Sequence, residues 1–263
     1  MKIGLLLAVY KDSEYIQECL APWIKLKKDY DIEISVCHGL FKEYHENGVV
    51  DDDKETLNIL YSLKIDNKID YLYVQNNYGL DFTYDVKKYE NEAQIRNNGL
   101  KYLLSKNIDY LWTIGADEIY KEHEIINILN FIKSNKLYSY FKINYKNFVF
   151  DKNQYIDNFC PPRIWNNKIN DKIKEFYWDD DIVYNNLVDY KQTSFKIIPK
   201  NVAFPDHFTW LSDDRSKNKV KYQESHFKNG YGCSFRWDND KLEWNEDFFI
   251  KTNQKIPEIK TIC

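Results

Sequence analysis

Apolar residues along positions 1–120 follow two alternating patterns. Continuous apolar runs over 2–9, 32–37, 69–74 and 110–114 are typical of strands that are buried on both faces of a parallel sheet. Between the runs, apolar residues recur at helical spacing, which predicts helices after residue 13, over 54–64 and over 90–106. Strands that alternate with helices in this way indicate βαβ units. We therefore expect an α/β fold with a mostly parallel central sheet and helices on both faces.

The first helical pattern contains a proline. Its apolar face consists of Ile16, Cys19, Leu20, Trp23 and Ile24. Asp12 or Ser13 can cap the start of this helix with a side-chain oxygen. Because Pro22 lacks a backbone N–H, we expect it to kink the helix or to end it early.

The pattern is less regular after residue 120. Apolar residues at 125, 128, 129 and 132 predict another amphipathic helix, residues 138–149 alternate like a strand or a hairpin arm, and 195–198 resemble a strand. Residues 166–194 are polar and irregular, and 213–228 suggest a charged helix. We expect one domain over 1–228, with halves 1–120 and 121–228, followed by a C-terminal extension over 229–263.

Composition narrows the class of protein. Hydrophobic residues make up 43% and charged residues 30% of the chain, which is typical of a globular protein, and no run of 18 apolar residues suggests a transmembrane segment. Five cysteines without paired spacing argue against a disulfide framework or a zinc site, so we expect a reducing, cytoplasmic location. A net charge of −4 gives no general attraction to nucleic acid.

Two adjacent acids are the main candidates for chemistry. The run 110–114 stops at Gly115-Ala116, and Asp117 and Glu118 follow at once. Ligands of α/β proteins bind at the carboxyl ends of parallel strands, and carboxylates there can hold Mg²⁺ or Mn²⁺ against a diphosphate. The alternative is an ordinary strand end followed by a solvated turn.

Other candidate groups lie upstream and downstream of these acids. Glu92 and Arg96 are four residues apart and therefore share one helix face. Arg96 could pair with a phosphate or brace Asp117, or it could form only a surface ion pair with Glu92. His207 lies in an aromatic segment, where it could be a neutral metal ligand or a structural histidine.

Several motifs, taken in their order along the chain, resemble those of the family 2 glycosyltransferases of the GT-A fold, particularly lipopolysaccharide-core-type glucosyltransferases. The matching segments are Ala8-Val9-Tyr10-Lys11-Asp12, Ala93 to Leu100 with Arg96-Asn97, Gly115-Ala116-Asp117-Glu118, Pro162-Arg163-Ile164-Trp165 and His207 to Trp210. Two positions depart from the family pattern. Gly115 replaces the first Asp of the Asp-x-Asp motif, and Cys37-His38-Gly39 stands where an acidic residue usually ends the second strand.

The resemblance implies a nucleotide-sugar donor, a saccharide or glycoconjugate acceptor, and a divalent cation, Mn²⁺ or Mg²⁺. It implies donor contacts from Ala8, Val9, Tyr10, Asp12, His38, Asn76, Arg96, Asn97 and Ala116. The cation would be held by Asp117, with Glu118 and His207 as further ligands. The family places its base after the Pro-Arg segment, so Asp179, Asp180 and Asp181 are the candidates for an inverting transfer, although they could instead form a solvated acidic loop.

Two other functions remain compatible with the sequence. A nucleotidyltransferase would also use a metal-binding carboxylate, but the Gly-rich basic loop expected near the start of such a chain is missing. A non-catalytic module that binds a nucleotide or a sugar would explain Gly115 in place of the first Asp.

Overall fold

A central β-sheet with helices on both faces organises the chain. The computed structural model describes residues 1–40, 53–75, 92–168, 173–178, 181–184, 194–211, 216–217, 219–220, 234–238 and 241–262, of which 177–178 and 181–184 are described by backbone alone. In chain order the elements are β1 (Ile3–Val9), α1 (Ile16–Leu26), β2 (Ile32–His38), α2 (Lys54–Ile65), β3 (Tyr71–Val74), α3 (Glu92–Ser105), β4 (Tyr110–Ile114), β5 (Glu118–Ile119), α4 (Glu122–Ser134), β6 (Tyr140–Ile143), β7 (Tyr145–Val149), β8 (Gln154–Phe159), β9 (Pro162–Asn166), β10 (Ile173–Trp178), β11 (Asp181–Tyr184), β12 (Phe195–Ile198), β13 (Asp206–Trp210), β14 (Phe235–Asp238), β15 (Lys241–Trp244), α5 (Glu246–Thr252) and β16 (Lys260–Thr261).

The central sheet has seven strands in the order β12-β6-β9-β4-β1-β2-β3. Strands β3, β2, β1 and β4 are parallel to one another, and β12 is parallel to β6. Only β9 runs in the opposite direction, because it pairs antiparallel with both β4 and β6. The expected α/β fold with a mostly parallel central sheet is confirmed.

A smaller, five-stranded sheet has the order β16-β8-β7-β13-β5. Its short strand β5 follows directly after the turn that ends β4, and it pairs antiparallel with β13. Strand β13 also pairs parallel with β7. The second sheet therefore brings residues from three distant parts of the chain to the carboxyl end of β4.

The two faces of the central sheet bury separate apolar clusters. Along β1, Leu5 and Leu7 belong to one cluster, which also contains residues of α1, α2 and α4. Leu6, which points to the opposite face, belongs to the other cluster with residues of α3. Helix α3 packs closely, since a Cβ atom at Gly99 would lie 2.5 Å from a methyl group of Leu6. The continuous apolar strands are therefore explained by burial on both faces.

Helix α1 differs from its prediction at both ends. It begins at Ile16 after Tyr15, which makes no side-chain capping hydrogen bond, so neither expected residue caps it. The backbone carbonyl of Asp12 instead accepts from the N–H groups of Tyr15 and Ile16. The helix continues past Pro22 to Leu26, and it buries Ile16, Cys19, Leu20, Trp23 and Leu26. Packing of this face holds the helix together across the proline.

The second half of the chain contains more strands than its pattern indicated. Residues 138–149 form two strands, β6 and β7, which lie in different sheets, and not one strand or a hairpin arm. Residues 166–194 contain the antiparallel hairpin of β10 and β11, so the expectation of an irregular segment was wrong. These strands are short and do not form continuous apolar runs, which explains why the pattern missed them.

The final part of the chain is also structured. Strands β14 and β15 form a hairpin, and β16 pairs with β8 in the five-stranded sheet. Most of the charged helix expected over 213–228 lies outside the described residues, although 216–217 and 219–220 are helical. The division at residue 228 stays a prediction. Among the described helices, none combines the length and apolar composition needed to cross a bilayer.

Candidate functional site

The turn after β4 places Asp117 beside β13. The backbone carbonyl of Asp117 accepts from the N–H of Phe208 at 3.0 Å, and Glu118 lies opposite His207 in the β5–β13 pair. This pairing joins positions that are far apart in sequence. His207 Nε2 lies 3.5 Å from Asp117 Oδ2, so the expectation that the two side chains lie together is confirmed.

Four polar side chains form a buried chain of contacts here. The Thr209 hydroxyl contacts Asp117 Oδ2 at hydrogen-bond distance and lies 2.7 Å from His207 Nε2. On the other side of the ring, Nδ1 of His207 lies 2.8 Å from Oδ1 of Asn147. Phe159 stacks on the imidazole at 4.8 Å between ring centroids. The ring is therefore held in one orientation, with Nε2 directed at Thr209 and Asp117.

The protonation states in this cluster follow from burial and from the contact with Asn147. Burial lowers the pKa of His207, and although the Asp117 carboxylate acts in the opposite direction, the ring is neutral near pH 7. A neutral ring that donates from Nδ1 to Asn147 carries a lone pair on Nε2. The single hydroxyl proton of Thr209 cannot serve both this lone pair and Asp117. The Thr209 hydroxyl donates to Asp117 Oδ2, and the lone pair of His207 Nε2 converges with these two oxygen atoms on one small volume.

Glu118, by contrast, is fully compensated by its neighbours. The Arg163 guanidinium contacts both carboxylate oxygens, with Nη2 2.6 Å from Oε1 and Nε 3.1 Å from Oε2. The Tyr145 hydroxyl donates to Oε2 at 2.6 Å, and the Tyr120 hydroxyl contacts that of Tyr145. Burial, with the Glu118 charge adding to it, raises the pKa of both tyrosines well above the usual value, so both keep their hydroxyl protons. Glu118 is 1% exposed and Asp117 is 7% exposed, so the solvated-turn alternative was wrong.

The donor residues expected at the first strand lie at the same sheet edge. Leu7 is paired with Ile114, so Ala8 and Val9 follow next to the turn that holds Ala116. His38 is the partner of Val9 at the end of β2. The carboxyl ends of β1, β2 and β4 therefore bring these predicted positions into one region.

The backbone N–H groups of the loop after β1 donate hydrogen bonds to side chains of the protein itself. The N–H of Tyr10 donates to Asp12 Oδ2 at 3.1 Å, that of Lys11 to Asp53 Oδ2 at 2.6 Å, and that of Asp12 to Thr56 Oγ1 at 3.0 Å. Asp12 is buried. The carboxylate of Asp12 therefore stabilises its own loop.

Helix α3 carries the expected Arg96 and Asn97. Arg96 forms an ion pair with Glu92, at 13% exposure for each side chain, and its guanidinium lies 5.7 Å from the Phe176 ring. The Asn97 amide exchanges two hydrogen bonds with the backbone of Phe176, at 3.0 Å and 2.7 Å. The structure thus places Asn97 as an anchor for strand β10.

Strand β10 runs towards the sheet edge that holds Asp117. Its first residue, Ile173, donates to the Asn167 side chain, which follows β9 at the amino-terminal end of β4. Three residues later along β10, the backbone of Phe176 is hydrogen-bonded to the side chain of Asn97, which lies in the first half of α3. Since α3 ends shortly before β4 begins, its first half lies nearer the carboxyl edge. At the far end of the hairpin, Trp178 pairs with Asp181.

Several predicted residues cannot be compared with the structure. Asn76, Asp179 and Asp180 lie outside the described residues, and Asp181 is described by its backbone alone. The structure also places four residues at the site that the sequence did not single out as candidates: Asn147, Thr209, Asp53 and Thr56. Thr209 could have been found, because it lies two positions after His207 on one strand and therefore on the same face. The others become neighbours only through strand pairing or helix placement.

The residues at Asp117 suit a divalent cation shared with a ligand. Among the residues that the structure describes, no group of three or more His, Cys, Asp and Glu could hold a metal by itself. The mixed set of Asp117, His207 and Thr209 offers a carboxylate, an imidazole and a hydroxyl. Mg²⁺ and ions like it are commonly bound by one or two protein carboxylates together with substrate phosphates. With so few protein groups, this set could hold a divalent cation only together with further ligands.

Known proteins are similar to this chain only at the level of a distant structural likeness. No protein-family model and no curated protein matches it. The crystal structure of S. aureus TarS 1-349 has a TM-score of 0.46 at 12% identity, covering 88% of this chain and 73% of that one. The crystal structure of S. aureus TarS has a TM-score of 0.46 at 14% identity, and the match covers 85% of this chain and 38% of that chain. The crystal structure of S. aureus TarS 1-349 in complex with UDP has a TM-score of 0.38 at 17% identity, and the match covers 56% of this chain and 36% of that chain. The chain spans little more than a third of the length of the last two. At these identities and TM-scores, the likenesses establish neither a family nor a function.

Proposed function

We propose that this protein is a GT-A-like glycosyltransferase, which moves a sugar from a nucleotide-sugar donor to a hydroxyl group of a saccharide or glycoconjugate. The transfer would depend on a divalent cation, Mn²⁺ or Mg²⁺, and would invert the anomeric centre. The observation that carries this proposal is the cluster of Asp117, Thr209 and His207, in which a carboxylate oxygen, a hydroxyl oxygen and an imidazole nitrogen converge after the end of β4.

In this proposal Asp117, His207 and Thr209 hold the cation. When bound, the cation neutralises the charge that develops on the leaving diphosphate. Asn147 keeps the proton on Nδ1 of His207, so that Nε2 presents a lone pair. Such partners of a metal-binding histidine fix its tautomer and its orientation.

The neighbouring residues have supporting roles. Both Glu118 oxygens are engaged by Arg163 and Tyr145, so we assign Glu118 to the scaffold of the turn and not to the cation. The N–H groups of Tyr10, Lys11 and Asp12 all have acceptors within the protein. Since these N–H groups do not face a ligand, they cannot neutralise a diphosphate, which is a second reason to assign that task to a cation.

We assign the general base to the segment Asp179 to Asp181. The direction of β10 supports this assignment, because the strand leads towards the edge of the sheet that holds Asp117. An inverting displacement needs one carboxylate to remove the proton of the attacking hydroxyl. Asn97, which holds Phe176 by two hydrogen bonds, would position the strand that precedes these acids.

A saccharide or glycoconjugate acceptor agrees with the loop composition. Residues 146–194 are rich in Asn, Asp and Tyr, which suit hydroxyl groups. With a net charge of −4, the chain is a poor general partner for large polyanions. The acceptor would bind between this region and the tail that begins at residue 230.

The direct test is a binding screen followed by a transfer assay. Purified protein is heated with UDP-, GDP- and CMP-sugars, with Mn²⁺, with Mg²⁺ or with EDTA. We expect one donor class to raise the melting temperature in the presence of cation only, since stabilisation grows with ligand excess over Kd. The same donor should then be consumed in the presence of an oligosaccharide acceptor mixture.

Three other outcomes would reject parts of the proposal. Donor consumption that is undiminished in EDTA would remove the cation. Binding without any transfer would favour the non-catalytic module that Gly115 keeps open. Diphosphate release from a nucleoside triphosphate and a sugar phosphate would favour a nucleotidyltransferase.

A further inference from the structure

The loop between β1 and α1 contains a residue in an unusual backbone conformation. Lys11 has a φ of 57°, in the left-handed region that residues with a side chain rarely adopt. Such a conformation persists only where surrounding contacts hold it. The contacts at Lys11 therefore indicate what keeps this loop in shape.

Two side chains at the start of α2, more than 40 residues away in sequence, accept hydrogen bonds from the backbone of this loop. Asp53 Oδ2 accepts from the N–H of Lys11 at 2.6 Å, and Thr56 Oγ1 accepts from that of Asp12 at 3.0 Å. Asp53 is the residue just before α2, but its side chain makes no capping hydrogen bond to that helix. The Asp53 carboxylate is therefore engaged with the loop and not with its own helix.

A histidine holds this carboxylate from the other side. His38 Nε2 lies 3.0 Å from the same Oδ2 atom of Asp53, and both side chains are buried. His38 ends β2, the strand next to β1, and is the register partner of Val9. The loop is thus connected through Asp53 to the end of the neighbouring strand.

We propose that Asp53 is a positioning residue that preorganises the loop at Tyr10 to Asp12 for the nucleoside of the donor. The proposal rests on the proposed function, since it assumes that this loop binds a nucleotide. Asp53 does not contact the donor. It holds Lys11 in the left-handed conformation before the ligand arrives, so that binding does not have to order the loop.

Without Asp53, the loop would populate other conformations, and the apparent affinity would fall with the fraction that remains competent. Glycine adopts the left-handed region about as readily as the right-handed one. Replacing Lys11 by glycine should therefore restore part of the lost affinity. A residue that merely maintained the fold would show no such rescue.

The test compares four proteins by isothermal titration with UDP, GDP and CMP in the presence of Mn²⁺. They are the wild type, Asp53→Ala, the double variant Asp53→Ala with Lys11→Gly, and Glu55→Ala. Glu55 is the matched control, because it is the residue next to Thr56 in α2 and its carboxylate accepts at an exposed site, from the Ser13 hydroxyl at 3.2 Å. Asp53→Asn, which keeps an acceptor oxygen for Lys11, is measured as a fifth protein, the conservative variant.

We expect Asp53→Ala to weaken binding of the nucleotide about tenfold, and the double variant to return to within about threefold of the wild type. Glu55→Ala should bind like the wild type, and Asp53→Asn should lie between the wild type and Asp53→Ala. In a transfer assay at saturating donor, kcat of Asp53→Ala should be unchanged while the donor KM rises. One outcome would overturn the proposal in favour of a purely structural residue. In that outcome Asp53→Ala does not fold at 25 °C, and the loss of nucleotide binding by Asp53→Asn is fully explained by its unfolded fraction.

Two further results separate this proposal from the proposed function. A wild type that binds none of the three nucleotides would reject the nucleotide-binding role of the loop and this proposal with it. A wild type that binds one of them, with Asp53→Ala binding equally well or with no gain from Lys11→Gly, would reject the role of Asp53 alone.

Discussion

Asp117 and Glu118 are adjacent acids in the same turn, yet their surroundings differ in kind. Glu118 is matched by a guanidinium that contacts both of its oxygens and by the Tyr145 hydroxyl. Asp117 instead accepts from the Thr209 hydroxyl and lies 3.5 Å from His207 Nε2. One acid is paired with an arginine, and the other lies beside a neutral histidine and a threonine hydroxyl.

The difference shows how a protein can keep two buried carboxylates next to each other. Burying a charge is costly unless it is paired and hydrogen-bonded. Arg163 meets this cost for Glu118, and the β5–β13 pair that Glu118 stabilises also carries His207 to Asp117. A cation would meet the same cost for Asp117. The acid paired with Arg163 thus builds the frame, and in the proposed function the acid beside His207 binds the cation.

The largest effect should come from removing the charge of Asp117. Asp117→Asn should lower the transfer rate on the order of 10³-fold, as expected when one stabilising group of a transition state is lost. The melting temperature should be nearly unchanged, because the Asn amide keeps the shape of the side chain and can donate to His207 Nε2. Kinetic assays and thermal unfolding without cation check both parts. A large loss of stability would mean that Asp117 is structural, like Glu118.

Glu118→Gln should show the reverse pattern. Because Arg163 would be left buried without its counter-charge, the free energy of unfolding should fall by about 3–5 kcal/mol. Denaturant titration measures this value. Glu122→Gln is the control, since Glu122 pairs with Lys25 at the surface and the change in stability should be small. A stable Glu118→Gln protein with weakened Mn²⁺ binding would instead make Glu118 a metal ligand, as the sequence resemblance implied.

Thr209 should give the smallest effect. Thr209→Val keeps the shape of the side chain but removes the hydroxyl, so we expect Mn²⁺ affinity to fall about tenfold, in the range seen when groups around a metal are altered. Thr209→Ser keeps the hydroxyl and should bind Mn²⁺ nearly as well as the wild type. Calorimetric titration of Mn²⁺ in the presence of the donor nucleotide compares the two. Equal affinities would leave Thr209 outside the cation site.

The fold was predictable where single segments are apolar enough to identify themselves. Strands β1, β2 and β4 are buried on both faces, so their side chains form continuous apolar runs, and helix α4 shows its buried face at regular spacing. Strand β9 was not recognised, although it lies in the middle of the central sheet. It is short, and it begins with a proline and an arginine that face different surroundings. Burial of such a strand is decided by its neighbours.

The site was predictable only in part for the same reason. Asp117 could be singled out because it follows a strong strand, and His207 only through a resemblance in motif order. Asn147, Arg163 and Asp53 carry no local pattern that indicates their partners. Their roles arise from the β7–β13 pair, from the central position of β9 and from the place where α2 begins.

By itself, the sequence determined the α/β alternation, the sheet of parallel strands and the turn that ends in two acids, because these depend on periodicity and on residues close together in the chain. Tertiary structure decided which acid pairs with an arginine. Asp117 and Glu118 have nearly the same local sequence environment, and the difference between them depends on whether an arginine or a histidine reaches them from a distant strand. Charges interact through space, so their balance is settled only when the strands have paired.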